Sequence, residues 1–77
     1  MAGKRYRLVT VQNGVEHISS VVLGKEEAAD SLIMEAEIHE RSGWTVIWKN
    51  SKTITAMRPG IIRKIYISKY SPMLDKI

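Results

Sequence analysis

The stretch KRYRLVTVQNGVEHISSVVL, residues 4–23, carries Asn13-Gly14 between two runs that are rich in Val, Ile and Thr. An Asn-Gly pair in this setting is typical of a two-residue type I′ turn, whose central residues both need positive φ. The stretch therefore predicts a β-hairpin over residues 4–23. Because the turn fixes the register, the predicted cross-strand pairs are Gln12 with Val15, Thr10 with His17, Leu8 with Ser19 and Tyr6 with Val21.

Neither face of this hairpin is purely polar. The face that is predicted to meet a core carries Tyr6, Leu8, Thr10, Val15, His17, Ser19, Val21 and Leu23. Beside Arg5 and Arg7, the second face carries an apolar set, which consists of Val9, Val11, Ile18 and Val22. A sheet with water behind it alternates more cleanly than this, so the second face is not a typical solvent-facing one.

A helix is predicted over residues 25–42, within GKEEAADSLIMEAEIHERSG. Acidic residues in its first turn complement the helix dipole, and Arg41 followed by Gly43 marks its end. At about 100° per residue, one stripe collects the side chains that would let the helix lie close to a sheet: Ala28, Ala29, Leu32, Ile33, Ala36 and His39. Met34 and Ile38 form an i, i+4 pair that points nearly opposite to this stripe.

Three strands follow the helix and are predicted to form a meander over residues 44–70. The turns between them are predicted at 50–52 and 59–60, where Asn, Ser, Pro and Gly cluster. Pro72 should end the last strand. Residues 71–77, SPMLDKI, are predicted to be a tail that is either frayed or docked on a neighbour.

The two tryptophans lie on the first strand of this meander. On a strand Trp44, Val46 and Trp48 share one face, so they form a single apolar row. This row is predicted to receive the alanine-lined side of the helix. We expect Trp44 to enter the core and Trp48, at the end of the row, to protrude.

The order of elements predicts an α+β fold with the sequence β-β-α-β-β-β, formed by a single domain over residues 1–77. Its antiparallel sheet has one helix packed across one face. A helix of about 18 residues, roughly 27 Å long, covers only part of a five-stranded sheet. The face away from the helix is therefore left to water, to the tail or to another chain.

The chain is small, basic and free of cysteine. Its 77 residues carry a net charge of +4. Six acidic against two basic residues give residues 25–42 a charge of −4, which leaves +8 for the rest. Domains near this size bury only about 60% of their unfolded surface and often need disulfides, a metal or a partner subunit. Disulfides are excluded, and His17 and His39 lack the spacing of metal ligands, so a homodimer is predicted.

No motif for catalysis or cofactor binding stands out. The sequence has neither a Gly-x-Ser-x-Gly elbow nor a cysteine nucleophile, and its glycines stand singly at element boundaries. We therefore predict a non-enzymatic protein without a cofactor or a metal. The N-terminal MAGKRYRL lacks the apolar run of a signal peptide, and no stretch approaches the roughly 20 apolar residues that span a bilayer. A soluble, cytoplasmic protein without membrane contact is predicted.

Excess apolar surface predicts a protein interface. The second hairpin face, the pair on the helix and the protruding tryptophan exceed what a small monomer hides, and Trp, Tyr, Met and Arg are enriched at interface cores. The predicted contact residues are Val9, Val11, Ile18, Met34, Ile38 and Trp48. The simplest interface of this kind is a twofold homodimer formed by sheet faces or edge strands.

A basic and aromatic sheet surface predicts the alternative, a nucleic-acid-binding module. Basic side chains supply phosphate contacts, and tyrosines on an open sheet stack single-stranded bases. The residues of this surface are Arg5, Arg7, Arg63, Lys64, Tyr66 and Tyr70. The acidic helix and the lack of an RNP-like sequence count against it. A regulator of the antitoxin or repressor type would combine both properties.

The acidic helix that ends in SGWTV, followed by a short meander and a basic last strand, resembles many small orphan proteins of bacteriophages, particularly phages of actinobacteria. The resemblance spans residues 15–70 and is one of pattern and size. It implies a single-domain accessory protein that is made in the host cytoplasm during infection. Some proteins of this group bind and inhibit a host component and several are toxic when expressed alone, so the resemblance implies a host protein as target.

Overall fold

The computed structural model describes residues 4–70 as one helix and a five-stranded sheet. The elements are β1 (Tyr6–Gln12), β2 (Val15–Ile18), α1 (Lys25–Arg41), β3 (Thr45–Asn50), β4 (Thr53–Arg58) and β5 (Ile61–Lys69). Neighbouring strands are antiparallel, in the spatial order β2-β1-β5-β4-β3. The predicted α+β class, with one helix across one face of an antiparallel sheet, is confirmed. The predicted tail, 71–77, lies outside the described residues.

The predicted turn of the first hairpin is confirmed. The angle φ is 52° at Asn13 and 78° at Gly14, as a type I′ turn requires. From the turn outward, the predicted register holds through Gln12 with Val15, Thr10 with His17 and the adjacent pair Val9 with Ile18.

The register changes beyond Ser19, and the predicted pairing of Tyr6 with Val21 is wrong. Tyr6 instead pairs with Leu23, and the two residues exchange backbone hydrogen bonds of 2.8 Å. The cause is local. The Ser19 hydroxyl oxygen accepts a hydrogen bond from the Val21 N–H at 3.1 Å, which turns the chain out of the ladder. As a consequence, β2 has only 4 residues.

Both ends of α1 use residues that the sequence marks. At the N-terminus the Glu27 carboxylate accepts a hydrogen bond from the Gly24 N–H at 3.0 Å, which is one half of a capping box. Past the C-terminus Gly43 has a φ of 89°, and the Trp44 N–H donates to the carbonyl oxygen of His39 at 2.9 Å. This is the geometry of a Schellman motif. It holds Trp44 against the last turn of the helix.

The core lies between α1 and the face of the sheet beneath it, which we call the helix face. Leu32 and Ala36 of the helix pack there against Ile54 of β4 and Ile65 of β5. Partly buried side chains complete this cluster, namely Leu8, Val46 and Ile67. Within residues 4–70, β2 is the one strand that α1 does not contact, so the core is centred on the other four strands.

Ile33 is not part of this core, contrary to the prediction. The buried residues of α1 are Ala28, Leu32, Ala36 and His39. Ile33 projects about 100° further round the helix than Leu32 and is 49% exposed. It lies on the flank of α1 that carries Ala29, which borders the turn between β3 and β4. The periodicity of apolar residues gives the width of the apolar stripe on a helix. It does not determine which part of that stripe faces the sheet.

The last three strands form the predicted meander. In its first turn the Asn50 side-chain oxygen accepts a hydrogen bond from the Lys52 N–H at 2.8 Å, and in its second turn Gly60 has a φ of 82°. β3 is an edge strand with a bulge between Trp48 and Asn50. At the other side of the meander β5 pairs with β1, which joins the hairpin and the meander in one sheet.

Replacing Ile54 by alanine is expected to lower the free energy of unfolding by about 2–5 kcal/mol, because a fully buried side chain is lost and a cavity remains. The matched control is Ile62→Ala, which removes the same atoms from a side chain that is 62% exposed and should cost about 1 kcal/mol or less. Urea unfolding followed by circular dichroism measures both variants. Equal losses would contradict the assignment of Ile54 to the core.

Candidate interaction surfaces

A buried polar cluster lies where the last turns of α1 meet β5. His39 is 6% exposed. Its Nδ1 lies 2.7 Å from the carbonyl oxygen of Glu35, and its Nε2 lies 2.8 Å from Nη1 of Arg63. An arginine can only donate, so Nε2 must accept this hydrogen bond. The His39 ring is therefore neutral and donates its Nδ1 proton to the Glu35 carbonyl.

Arg63 is held on several sides by this cluster. Its Nε donates to the side-chain oxygen of Gln12 at 2.8 Å, and its guanidinium lies 4.5 Å from the centre of the Trp44 ring. Trp44 meets His39 edge-on, with ring centres 5.2 Å apart and an interplanar angle of 76°. With these partners in place, the cluster fastens the end of the helix to the sheet and offers neither a free base nor a free cation.

Sequence reasoning missed this cluster. It placed His39 at the edge of the apolar stripe and assigned Arg63 to phosphate contacts. The two residues meet because β5 passes beneath the end of α1, and no local pattern reports that crossing. One signal was available, because Arg63 shares a strand face with Ile65 and Ile67 and therefore puts a charge on the predicted core side.

The two histidines of the chain have different surroundings. Both ring nitrogens of His39 are occupied within the polar cluster, whereas His17 is exposed on β2 opposite Thr10. Among residues 4–70, no group of three or more His, Asp and Glu side chains is placed to hold a metal ion.

The face of the sheet turned away from α1, the outer face, is both apolar and basic. Its central rows run Ile18, Val9, Tyr66, Thr53 and Glu16, Val11, Lys64, Thr55 across β2, β1, β5 and β4. Ile18, Ile47 and Ile62 on this face remain about half-exposed or more. The described helix packs on the opposite face, so these side chains lie in water.

Cations and aromatic rings pair on the outer face. The Arg7 guanidinium lies 4.3 Å from the centre of the Tyr70 ring, and Nζ of Lys64 lies 5.3 Å from the centre of the Tyr66 ring. The Tyr66 hydroxyl donates a hydrogen bond to Glu16 at 3.3 Å. Nε of Arg7 is buried and finds no acceptor among the described residues. Buried donors ordinarily have one, so Arg7 has an unmet requirement.

The residues of the predicted nucleic-acid surface do not all meet. Five of them share the outer face, and these are Arg5, Arg7, Lys64, Tyr66 and Tyr70. Arg63 lies on the helix face inside the polar cluster, which corrects its assignment to this surface. Side chains alternate between the two faces along a strand, so the adjacent residues Arg63 and Lys64 necessarily point to opposite faces of the sheet.

The six predicted interface residues fall on three separate surfaces. The outer face holds Val9, Val11 and Ile18. Val9 is only 3% exposed, so it is buried among its neighbours and offers no contact area of its own. Met34 and Ile38 are half-exposed on the side of α1 that faces away from the sheet. Trp48 protrudes as predicted, on the helix face of β3, so no single interface can contain all six residues.

β3 forms an edge of the sheet, and within residues 4–70 it pairs only with β4. Backbone groups along such an edge are a template for a further strand. Two large apolar side chains flank the edge, Ile47 on the outer face and Trp48 on the helix face, and each is 44% exposed. The strand, TVIWKN, contains no proline and has Lys49 as its one charged residue.

Arg63→Ala is expected to lower the free energy of unfolding by about 1–3 kcal/mol, because His39 Nε2 and the Gln12 side-chain oxygen lose their donor. The control is Lys64→Ala, an exposed neighbour on β5, which should change it by less than about 0.5 kcal/mol. Denaturant unfolding measures both, and the emission of Trp44 should change in the first variant because Arg63 lies over its ring. Indistinguishable variants would mean that the cluster does not hold the helix.

The pKa of Tyr66 is raised above 10.0, because partial burial disfavours the phenolate and the charge and hydrogen bond of Glu16 oppose it further. Glu16→Gln is expected to lower this pKa, as measured by ultraviolet titration with Tyr66→Phe as the reference. A raised folded pKa also gives stability that is complete below pH 10.0 and is lost as the pH rises through that pKa. An unchanged pKa in Glu16→Gln would contradict the contact.

Comparison with known proteins gives the chain no family. No family model matches it, and neither a curated protein nor a solved structure does. Among residues 4–70, no helix has the length and apolar character that crossing a membrane requires. A function for this chain therefore has to be inferred from its own surfaces.

Proposed function

We propose that the chain is a non-enzymatic protein-binding protein that acts as a twofold homodimer joined through β3. One observation carries the proposal. The described sheet ends at β3. One backbone edge of β3 pairs with β4, and the other has no strand partner among residues 4–70. Ile47 and Trp48 are each 44% exposed on the two faces beside this free edge. An edge strand with an open backbone and apolar flanks, in regular register over residues 45–48, favours pairing with another strand.

Charge distinguishes β3 from the other exposed surfaces. A twofold interface brings a surface against its own copy, so a surface with one dominant sign of charge repels itself. α1 carries six acidic and two basic residues. On the outer face, Arg5, Arg7 and Lys64 outnumber Glu16. β3 has Lys49 alone, which makes it the surface best suited to meet its own copy.

Pairing of two β3 strands would continue the sheet across the twofold axis. The axis would be perpendicular to the sheet, so each face would continue into the same face of the second copy. Trp48 would then lie near the row that Val46 and Trp48 form in the partner. Ile33 lies on the flank of α1 towards the β3–β4 turn, so the pairing would shelter Ile33, Ile47 and Trp48 from water.

The opposite edge of the sheet is less suited to such pairing. β2 has 4 residues, which offer few backbone hydrogen bonds to a second chain. Beyond Ile18, the hydrogen bond between Ser19 and Val21 turns the backbone out of line. A short edge strand is one of the devices by which a sheet avoids pairing with another chain.

The dimer would leave the exposed side of α1 and the outer face free for a second partner. The resemblance of the chain to small bacteriophage proteins supports a host protein as that partner and the host cytoplasm as the place of action. In this role the protein is an accessory factor that inhibits a host component by occupying its surface. Such inhibition requires binding and no catalysis, and it would make the protein toxic when expressed alone.

Nucleic-acid binding is the second candidate, and the basic outer face favours it. Two features of that face count against it. The rings of Tyr66 and Tyr70 already have cations beside them, so base stacking would have to displace those contacts. Glu16 lies at the Tyr66 hydroxyl, where it would repel a phosphate.

Sedimentation equilibrium of the wild type is expected to show a monomer–dimer equilibrium in roughly the micromolar range, as for a small interface. Trp48→Lys should shift the equilibrium to monomer, since a charge would stand beside the paired strands in each copy. Ile18→Lys, on the outer face, is the matched control and should leave the dimer unchanged. A monomeric wild type would refute the dimer, and dissociation by Ile18→Lys alone would refute β3 as its site.

A further inference from the structure

We propose that the outer face of the sheet is a docking site for an acidic amphipathic helix of another protein. This inference rests on the proposed protein-binding function but not on the β3 dimer, since it uses a different surface. Three properties of the outer face support it: its exposed isoleucines, its excess of basic side chains and the absence of a carboxylate partner for Arg7 among residues 4–70.

Exposed isoleucines are distributed across the width of the outer face. Ile18 on β2 and Ile62 on β5 are more than half-exposed, and Ile47 on β3 is 44% exposed. Five strands at about 4.8 Å spacing span roughly 19 Å, which accommodates a helix of about 10 Å diameter. A helix on this face would give the sheet a helical layer on both sides, which is how a sheet commonly buries both faces.

The charge of the outer face selects an acidic partner. Arg5, Arg7 and Lys64 outnumber Glu16 there. Arg7 is the cation most in need of a partner, because it has no carboxylate partner among residues 4–70 and its guanidinium lies against the Tyr70 ring. A carboxylate can accept hydrogen bonds from two nitrogens of one guanidinium. An acidic side chain beside Arg7 would therefore supply the opposite charge that the described residues do not.

A helix meets these requirements better than an extended segment does. An amphipathic helix presents one apolar stripe with charged residues along its margins, which suits a face that carries both exposed isoleucines and the cations Arg7 and Lys64. An extended peptide binds a sheet through the backbone of an edge strand. β1 and β5 carry much of the outer face and are paired on both sides, so they offer an extended peptide no free backbone edge.

Two other occupants fit the outer face less well. A polynucleotide would neutralise the cations but would leave the isoleucines without an apolar partner. α1 of a second copy is acidic, but α1 and the outer face lie on opposite sides of the sheet. Pairing the one with the other would join copies head to tail into an open filament rather than a closed assembly.

Fluorescence anisotropy with the full-length protein tests the proposal. The probe is a labelled synthetic peptide of about 18 residues, roughly 27 Å as a helix, with leucine along one stripe and glutamate elsewhere. We expect binding that weakens as salt is added. Lys64→Glu should weaken it by roughly ten-fold and Ile62→Asp by a similar factor. Lys69→Glu, on the helix face of the same strand, is the matched control and should change it by less than about two-fold.

Absence of binding by the wild type overturns the proposal, whatever else occupies the face. Equal weakening by Lys69→Glu also overturns it, because the attraction would then follow net charge alone.

Two further outcomes would identify another occupant of the outer face. If a single-stranded oligonucleotide binds more tightly than the peptide and loses binding in Lys64→Glu, the outer face is a nucleic-acid-binding surface and the proposal is overturned. Sedimentation of the same protein separates the two proposals, since a dimer that persists without peptide binding refutes only the docking site. An apparent molecular mass that keeps rising with protein concentration would show that α1 of a second copy occupies the outer face.

Discussion

One helix can bury only one face of a five-stranded sheet, and the rest of this molecule follows from that constraint. α1 and the helix face supply the core through Leu32, Ile54 and Ile65. The surfaces that α1 does not reach, the outer face and the edge of β3, keep apolar side chains in water. In a larger domain a second layer would cover them. Here the surfaces that a second layer would bury are the same surfaces that a partner protein can recognise.

The features that can be predicted from the sequence are those with local causes. Asn13-Gly14 specifies a hairpin turn through its own φ preferences, and Gly43 ends the helix in the same way. The contact of His39 with Arg63 has no local cause, because it depends on which strands lie beneath the helix. The candidate sites divide similarly. Strand parity assigns Ile18 and Lys64 to the outer face correctly, but the rotation of a helix or the edge position of a strand is settled only by packing.

The sheet separates two surfaces of opposite net charge. α1 is net acidic above it, and the outer face, where Arg5, Arg7 and Lys64 outnumber Glu16, is net basic below it. Arg63 is a cation between these layers. It approaches the C-terminal end of α1, where the helix dipole favours positive charge, and it binds a neutral histidine. A molecule divided in this way presents different potentials to partners that approach from its two sides.

The hydrogen bond between Ser19 and Val21 has a consequence for stoichiometry. A sheet with two equally open edges can add strands at both ends, which is the geometry of fibrous aggregates. In this chain that hydrogen bond leaves β2 short, so the β2 edge of the sheet is poorly suited to pairing with another strand. Two copies joined through β3 would therefore present a blunt edge at each end of the combined sheet. One serine hydroxyl would in this way limit the growth of the assembly to two chains.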